Sequence, residues 1–108
     1  MIIEEVFKNY ISNAIKYASG SKEIIISSKI QSDMITIEVS DFGETIKDEY
    51  RKKIFTRSFQ LERAKGKGSG LGLSIVKKIA SAHNAKVGVS PNSPTGNIFY
   101  ISFPVTAP

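Results

Sequence analysis

The chain has 108 residues, a formal net charge of +5, no cysteine and a single histidine. This length suits one domain around one hydrophobic core, and the lack of thiols excludes disulfides, thiolate metal sites and a cysteine nucleophile. A single histidine excludes a histidine-rich metal cluster, and the chain has neither an apolar run of about 18 residues nor a signal-peptide pattern. We therefore expect a soluble, cytoplasmic domain, even if its full-length protein is anchored in a membrane.

The first half of the sequence predicts a helix and two strands. Apolar residues at three- and four-residue steps predict an amphipathic helix over residues 1–18. Its apolar stripe would consist of Ile3, Phe7, Tyr10, Ile11, Ala14 and Ala18, with Asn9, Asn13 and Lys16 on the other face. Residues 23–30 and 34–40 have the composition of strands, joined by a turn at residues 31–33.

The second half predicts two helices and two further strands. A short helix is expected at residues 48–54, and the basic, glycine-punctuated residues 61–67 suggest a mobile loop. Residues 70–82 predict a second amphipathic helix, and residues 86–90 and 97–103 predict strands. The core side of that helix would carry Leu71, Ile75, Val76, Ile79 and Ala80. This order of elements predicts a two-layer α/β sandwich, with helices on one face of a mixed sheet.

A glycine-rich segment opens the second long helix. Its glycines are Gly66, Gly68, Gly70 and Gly72. Backbone without side chains can approach an anion closely, and the free N–H groups at a helix N-terminus can hold it. The segment differs from the dinucleotide fingerprint, because the third required glycine falls on Leu71 or Leu73, and it differs from a Walker loop. It therefore predicts a different phosphate-binding device.

Seven basic residues and one acid, Glu62, lie between Arg51 and Lys67. Such a stretch can bind nucleic acid, an anionic membrane or a polyphosphate, or it can be a solvated face. No aromatic residue interleaves with the charges between Arg63 and Lys67, as a single-strand binder would favour. Polyphosphate is the preferred interpretation, and the solvated face stays open.

Two positions suggest specific ligands. Asn9 and Asn13 lie four residues apart on one helical face, and their neutral amide oxygens suit Mg²⁺, although plain surface polarity is an alternative. Asp41 continues the inward row of its strand, and a buried carboxylate needs a donor. The exocyclic amine of adenine would donate to it, whereas guanine presents an acceptor oxygen there. A turn-capping aspartate before glycine is the alternative.

Together these segments resemble the ATP-binding domain of sensor histidine kinases, within the wider family of gyrase, Hsp90 and MutL ATPases. The segment NYISNAIKY at residues 9–17 resembles the N box of this family, and DFG at residues 41–43 resembles the start of its G1 box. The segment IFTRSF at residues 54–59 resembles the F box, and GSGLGL at residues 68–73 resembles the G2 box. The resemblance covers nearly the whole chain and implies a Bergerat-type fold, with ATP between the first helix and a basic lid.

The resemblance also implies a reaction and its partners. ATP and Mg²⁺ would bind, Asn13 would ligate the metal, Asp41 would recognise adenine, and the catalytic residues would be Asn9 and Asn13. The γ-phosphate would pass to a histidine on an upstream dimerisation domain and then to a response regulator, in two-component phosphorelay signalling. The implied nucleotide-binding set is Asn9, Asn13, Lys16, Tyr17, Asp41, Gly43, Thr45, Ile46, Phe55, Lys67, Gly68, Ser69, Gly70, Leu71, Gly72 and Leu73. Neither nucleic acid nor direct membrane contact is expected.

Two side chains limit the chemistry of the domain alone. Asn9 stands where ATPases of the wider family carry a glutamate that activates water, and an amide cannot act as that base. The isolated domain should therefore bind ATP and hydrolyse it slowly. His83, the one histidine, follows the second long helix, where its charge suits the helix dipole, so we expect a structural role for it.

The chain departs from the family pattern in several places. Thr45 replaces the second glycine of the G1 box, where a Cβ could restrict φ or crowd the nucleotide. The F box has one extra residue, and the lid is short. We expect residues 1–108 to form one monomeric domain without the strand and helix that usually precede the N box. Two alternatives stay open: a degenerate, non-catalytic nucleotide-binding or protein-interaction module, and an anti-sigma-factor-type serine kinase.

Overall fold

The computed structural model describes residues 2–17, 21–56 and 72–105, where two helices cover one face of a four-stranded sheet. The long helices are α1 (Ile2–Tyr17) and α2 (Gly72–Ala82). The strands are β1 (Ile24–Gln31), β2 (Met34–Asp41), β3 (Lys86–Pro91) and β4 (Asn97–Pro104). The predicted two-layer α/β sandwich is confirmed, and every one of these elements was expected within two residues of its bounds.

The sheet has the strand order β1-β2-β4-β3, and its three pairings are antiparallel. We expected a mixed sheet, so the described strands correct that detail. For two of the three pairings the cause is local: β1 and β2, like β3 and β4, are consecutive strands joined by hairpins. The third pairing, of β2 with β4, joins the two hairpins into one sheet. Ser32 and Asp33 connect the first pair with φ of 51° and 63°, as a tight two-residue hairpin turn requires.

A single core joins the two layers. Val39 of β2 and Phe99 of β4 point toward the helices and are fully buried, together with Tyr10 of α1 and Val76 of α2. The rings of Tyr10 and Phe99 lie 5.5 Å apart between centroids. The Tyr10 hydroxyl donates a 2.7 Å hydrogen bond to the carbonyl oxygen of Tyr100, which fixes α1 against β4.

The buried face of α1 differs from the expected stripe. Val6, Tyr10 and Ala14 form it, and Asn13 is buried beside them with 4% of its surface exposed. Because Asn13 follows Val6 by seven residues, or two helical turns, the two share one face. Asn13 therefore lies on the core side rather than on the outer face with Lys16. Of the residues in the expected stripe, Ile3 and Ala18 have no described side chains.

The expected core side of α2 is confirmed at Val76 and Ala80, which are buried, and at Ile79, which is partly buried. It is wrong at Ile75, which is 40% exposed, and it omits Leu73, which is buried. The expected Leu71 lies outside the described residues.

The expected short helix over residues 48–54 is instead two 3-10 helices, Asp48–Tyr50 and Lys53–Phe55. Neither has a side-chain cap, and only the second buries side chains, those of Ile54 and Phe55. A stretch with so few buried side chains gains too little to propagate an α-helix.

His83 lies in the turn that ends α2, as expected. Its Nδ1 atom is 2.9 Å from the carbonyl oxygen of Ile79, one of the last carbonyls of the helix. Asn84 then takes a left-handed conformation, with φ of 55°, and Ala85 N donates to Ala80 O. Of the helices in the described ranges, none has the length and apolarity needed to cross a bilayer.

Candidate functional site

Asp41, the last residue of β2, is the most completely buried ionisable side chain of the described site. Its exposure is 0%, which confirms the inward orientation predicted from the strand period. The Oδ1 atom accepts hydrogen bonds from Gly43 N at 3.1 Å, Asn97 N at 3.2 Å and Asn97 Nδ2 at 3.3 Å. Three converging donors offset the cost of burying a carboxylate and hold it in one orientation.

Asn97, the first residue of β4, is a site residue that sequence reasoning missed. Its side chain is buried, and its Oδ1 accepts a 2.8 Å hydrogen bond from Ile46 N. Its Nδ2 donates to Asp41 Oδ1 and, at 3.0 Å, to the carbonyl oxygen of Glu44. One amide therefore connects Asp41 to the loop that follows it. An asparagine after a glycine reads locally as a turn residue, so no sequence signal marked it.

The N-box amides face the start of α2. Asn9 Nδ2 donates to Glu5 O at 2.9 Å, and Asn13 Nδ2 donates to Asn9 O at 2.7 Å. Both amide nitrogens are thus turned back onto α1, which fixes the orientation of both amide groups. A Cβ on Gly72 would lie 2.7 Å from Asn9 Oδ1 and 3.4 Å from Asn13 Nδ2. Glycine at this position therefore allows the first turn of α2 to approach the two amides.

The remaining expected nucleotide contacts fall into three groups. Ile46, Phe55 and Leu73 are buried in the hydrophobic core, so a side-chain contact between them and a nucleotide stays a prediction. Lys16 is half-buried on α1, and Gly43 is buried two residues after Asp41. Outside the described residues or side chains lie Tyr17, Lys67, Gly68, Ser69, Gly70 and Leu71, together with the expected lid at residues 61–69.

Thr45 has none of the backbone strain that its replacement of a glycine suggested. Within the described ranges, the non-glycine residues with positive φ are Ser32, Asp33 and Asn84. Thr45 therefore has a conformation that any residue can adopt. Its hydroxyl oxygen accepts a 2.9 Å hydrogen bond from Gly96 N, so the side chain is turned toward the β3–β4 turn.

The polar side chains described at this site are amides and one buried carboxylate. No group of three or more histidine, cysteine, aspartate or glutamate side chains in the described part of the chain could hold a metal by itself. Amide oxygens beside a helix N-terminus instead suit a hydrated cation that is shared with a phosphate. α1 contacts both β2 and α2, and it is the element common to the two parts of the site.

Residues 1–107 match the family model for histidine kinase-, DNA gyrase B- and HSP90-like ATPases. The chain belongs to this family. Among its curated relatives, the adaptive-response sensory kinase SasA of Crocosphaera subtropica is 38% identical over 106 residues, covering 96% of this chain and 28% of that protein. Histidine kinase P4 of Formosa agariphila is 37% identical over 109 aligned residues, covering 95% of this chain and 8% of that protein. The ATPase-family domain thus spans a minor part of each relative.

Solved structures agree with this assignment. The nucleotide-free catalytic domain of histidine kinase ThkA matches with a TM-score of 0.82 and 32% identity, over 97% of this chain and 67% of that chain. ThkA in complex with the response regulator protein TrrA matches with a TM-score of 0.76 and 29% identity, over 96% of this chain and 28% of that chain. The predicted family and fold are confirmed.

Proposed function

We propose that this ATPase-family domain is the catalytic part of a sensor histidine kinase. It binds Mg-ATP and donates the γ-phosphate to a histidine on a separate dimerisation domain. The observation that carries the proposal is the fully buried Asp41 carboxylate, held by three donors at the end of β2. The names of the relatives, a sensory kinase and a histidine kinase, favour this activity over other uses of the fold.

Asp41 suits the recognition of adenine. An ionised carboxylate accepts hydrogen bonds and donates none, so it pairs with the exocyclic amine of adenine and opposes the carbonyl oxygen of guanine. Because Asn97 and Gly43 N already hold Oδ1, the carboxylate does not have to reorganise when the base arrives.

Asn9, Asn13 and Gly72 suit the phosphate end of the nucleotide. The amide oxygen of Asn13 would ligate Mg²⁺, while the N–H groups at the start of α2 would face phosphate oxygens. A bound Mg²⁺ supplies charge neutralisation on the phosphates. The amide orientations set by Glu5 O and Asn9 O would keep both oxygens directed away from their own helix.

The reaction needs a nucleophile from another domain. An imidazole nitrogen would attack the γ-phosphorus, a P–N bond would form, the P–O bond to ADP would break, and the imidazole would release its proton. Asn9 has no useful proton affinity, so it cannot be the base that activates water, and an amide at this position favours transfer over hydrolysis. The structure of ThkA with TrrA contains a response regulator, and we propose a partner of that class for the full-length protein here.

Calorimetric titration with ATP and Mg²⁺ tests the base-recognition step. We expect Asp41→Asn to lower ATP affinity roughly 10- to 100-fold, because a charge-assisted hydrogen bond is lost. The same change should narrow the preference for ATP over GTP. The matched control is Asp33→Asn, which removes one negative charge from an exposed hairpin turn where asparagine also adopts positive φ. Equal ATP affinity in the Asp41 variant and the wild type would remove adenine recognition from the proposal.

A phosphotransfer assay tests the reaction class. The domain is mixed with γ-labelled ATP and a helical dimerisation domain that carries a histidine, or the same domain with that histidine changed to glutamine. Label on the first partner alone is the expected result. A serine-bearing partner protein is tested in a parallel reaction. Label on that partner, and none on the histidine-bearing domain, would indicate the serine-kinase alternative.

A further inference from the structure

The loop after Asp41, residues 42–47, is joined along its length to the β3–β4 turn, residues 92–96, and to Asn97 at the start of β4. Asn92 Nδ2 donates to Asp41 O at 2.9 Å at the beginning of the loop. Asn97 closes the other end through Ile46 N and Glu44 O. We call this set of contacts the loop clasp. The two segments meet because Gly96, with φ of 114°, lacks the Cβ that would collide with the backbone of Asp41 and Phe42.

Thr45 lies at the centre of the clasp. Gly96 N donates to Thr45 Oγ1 at 2.9 Å, and Thr45 Oγ1 is 3.4 Å from Thr95 Oγ1. Thr95 Oγ1 donates its single proton to Gly43 O at 2.8 Å, so the proton between the two threonines comes from Thr45. The two threonine hydroxyls therefore connect Gly96 N to Gly43 O, through two short hydrogen bonds and one long contact between them.

We propose that Thr45 is a positioning residue for nucleotide binding. Its hydroxyl ties the loop to the β3–β4 turn and so holds Asp41 and Gly43 in the arrangement that receives the base, before any nucleotide is present. Ordering a loop on binding lowers affinity, and a loop ordered in advance avoids that loss. This inference depends on the proposed ATP binding, and it reverses the sequence-based expectation that a Cβ at position 45 crowds the nucleotide.

Substitutions at position 45 distinguish a hydroxyl that supports nucleotide binding from a Cβ that hinders it. Thr45→Val keeps the branched shape and removes the hydroxyl, and we expect ATP and ADP affinities to fall by the same factor, roughly three- to tenfold. Thr45→Ser keeps the hydroxyl and should bind within about twofold of wild type. Thr45→Gly restores the residue of the family pattern, and we expect weaker binding. Tighter binding by Thr45→Gly, or wild-type affinity in Thr45→Val, would overturn the inference.

The matched control is Thr36→Val. It deletes a similar hydroxyl contact, 2.7 Å between Thr36 Oγ1 and Ser102 Oγ. Thr36 and Ser102 are paired across β2 and β4, one position out of phase with the inward residues Val39 and Phe99, so they lie on the sheet face opposite the helices. Thr36→Val should leave ATP affinity unchanged. If it lowers the affinity as much as Thr45→Val does, the loss in Thr45→Val is due to general destabilisation.

Amide hydrogen exchange in nucleotide-free protein provides a readout that does not need ATP. Gly96 N and Ile46 N donate within the clasp and should exchange faster in Thr45→Val than in wild type or Thr36→Val. Unchanged exchange rates at both amides would show that the Thr45 hydroxyl does not hold the loop clasp together. If the wild type shows this protection but does not bind ATP, the proposed function fails while the clasp stands.

Discussion

At the scale of single residues, the candidate site depends on two glycines, whose lack of a side chain lets the backbone approach polar groups closely. Gly72 brings the start of α2 to the amides of Asn9 and Asn13, and Gly96 brings the β3–β4 turn to the backbone of Asp41. Strand alternation predicted the inward side chain of Asp41, and helix spacing predicted that Asn9 and Asn13 share a face, because each follows from its own element. Which glycine would meet which amide depends on contacts between distant elements, so only the structure shows it.

Gly72→Ala tests the approach of α2 to the amides. The new Cβ would lie 2.7 Å from Asn9 Oδ1, so the Asn9 amide must move or α2 must retreat. We expect Mg-ATP affinity to fall about tenfold, or roughly 1.4 kcal/mol, in a calorimetric titration. The double variant Asn9→Ala, Gly72→Ala is the control, because removal of the amide makes room for the methyl group. Equal losses from Gly72→Ala in both backgrounds would show that the Asn9 contact is not the cause.

At the scale of elements, α1 is held to β4 by the side chain of Tyr10. Its ring packs on Phe99, and its hydroxyl donates to Tyr100 O. Burial raises the pKa of the Tyr10 phenol above its ordinary value, with a smaller contribution from Tyr100. The folded protein therefore keeps this proton at pH values where the unfolded chain has lost it.

This pKa predicts alkaline destabilisation. Below pH 10 both states hold the proton and the stability is fully present. Above about pH 10 the unfolded chain releases the proton and the folded protein does not, so the free energy of unfolding falls as pH rises. Urea titrations from pH 7 to 11 should show Tyr10→Phe about 1 kcal/mol less stable at pH 7, through the lost hydrogen bond, but with a shallower alkaline decline. Parallel declines in both proteins would contradict this account.

The elements themselves were largely predictable, and the differences have physical causes. Apolar periodicity located α1 and α2 and most of their buried positions, but it did not predict that Asn13 and Leu73 are also buried. A short-range pattern cannot decide which of two adjacent helical rows a sheet will cover. The contacts of Asn97 with Ile46 and Glu44 join residues more than 50 positions apart, so no local signal could reveal them.

At the scale of the whole molecule, the binding site and the core share their supports. Val39 and Phe99 lie in the strands that also carry Asp41 and Asn97, and Tyr10 lies on the helix that carries Asn9 and Asn13. A nucleotide that contacts both parts of the site would therefore bind the folded chain and not the unfolded one. Its binding should stabilise the fold as a unit.

Ligand-dependent melting tests that coupling. At an ATP concentration of 100 times Kd, exclusive binding to the folded state adds about 2.7 kcal/mol. For a domain of this size that raises Tm on the order of 10 °C. Asp41→Asn at the same ATP concentration should show roughly half of this shift or less, because its expected affinity is 10- to 100-fold lower. Chelation of Mg²⁺ should reduce the wild-type shift, because phosphate charge then faces the Asn9 and Asn13 amides without a cation. If the protein melts cooperatively but millimolar Mg-ATP does not change its Tm, the non-catalytic protein-interaction module is favoured. The chain would then be folded without binding a base at Asp41.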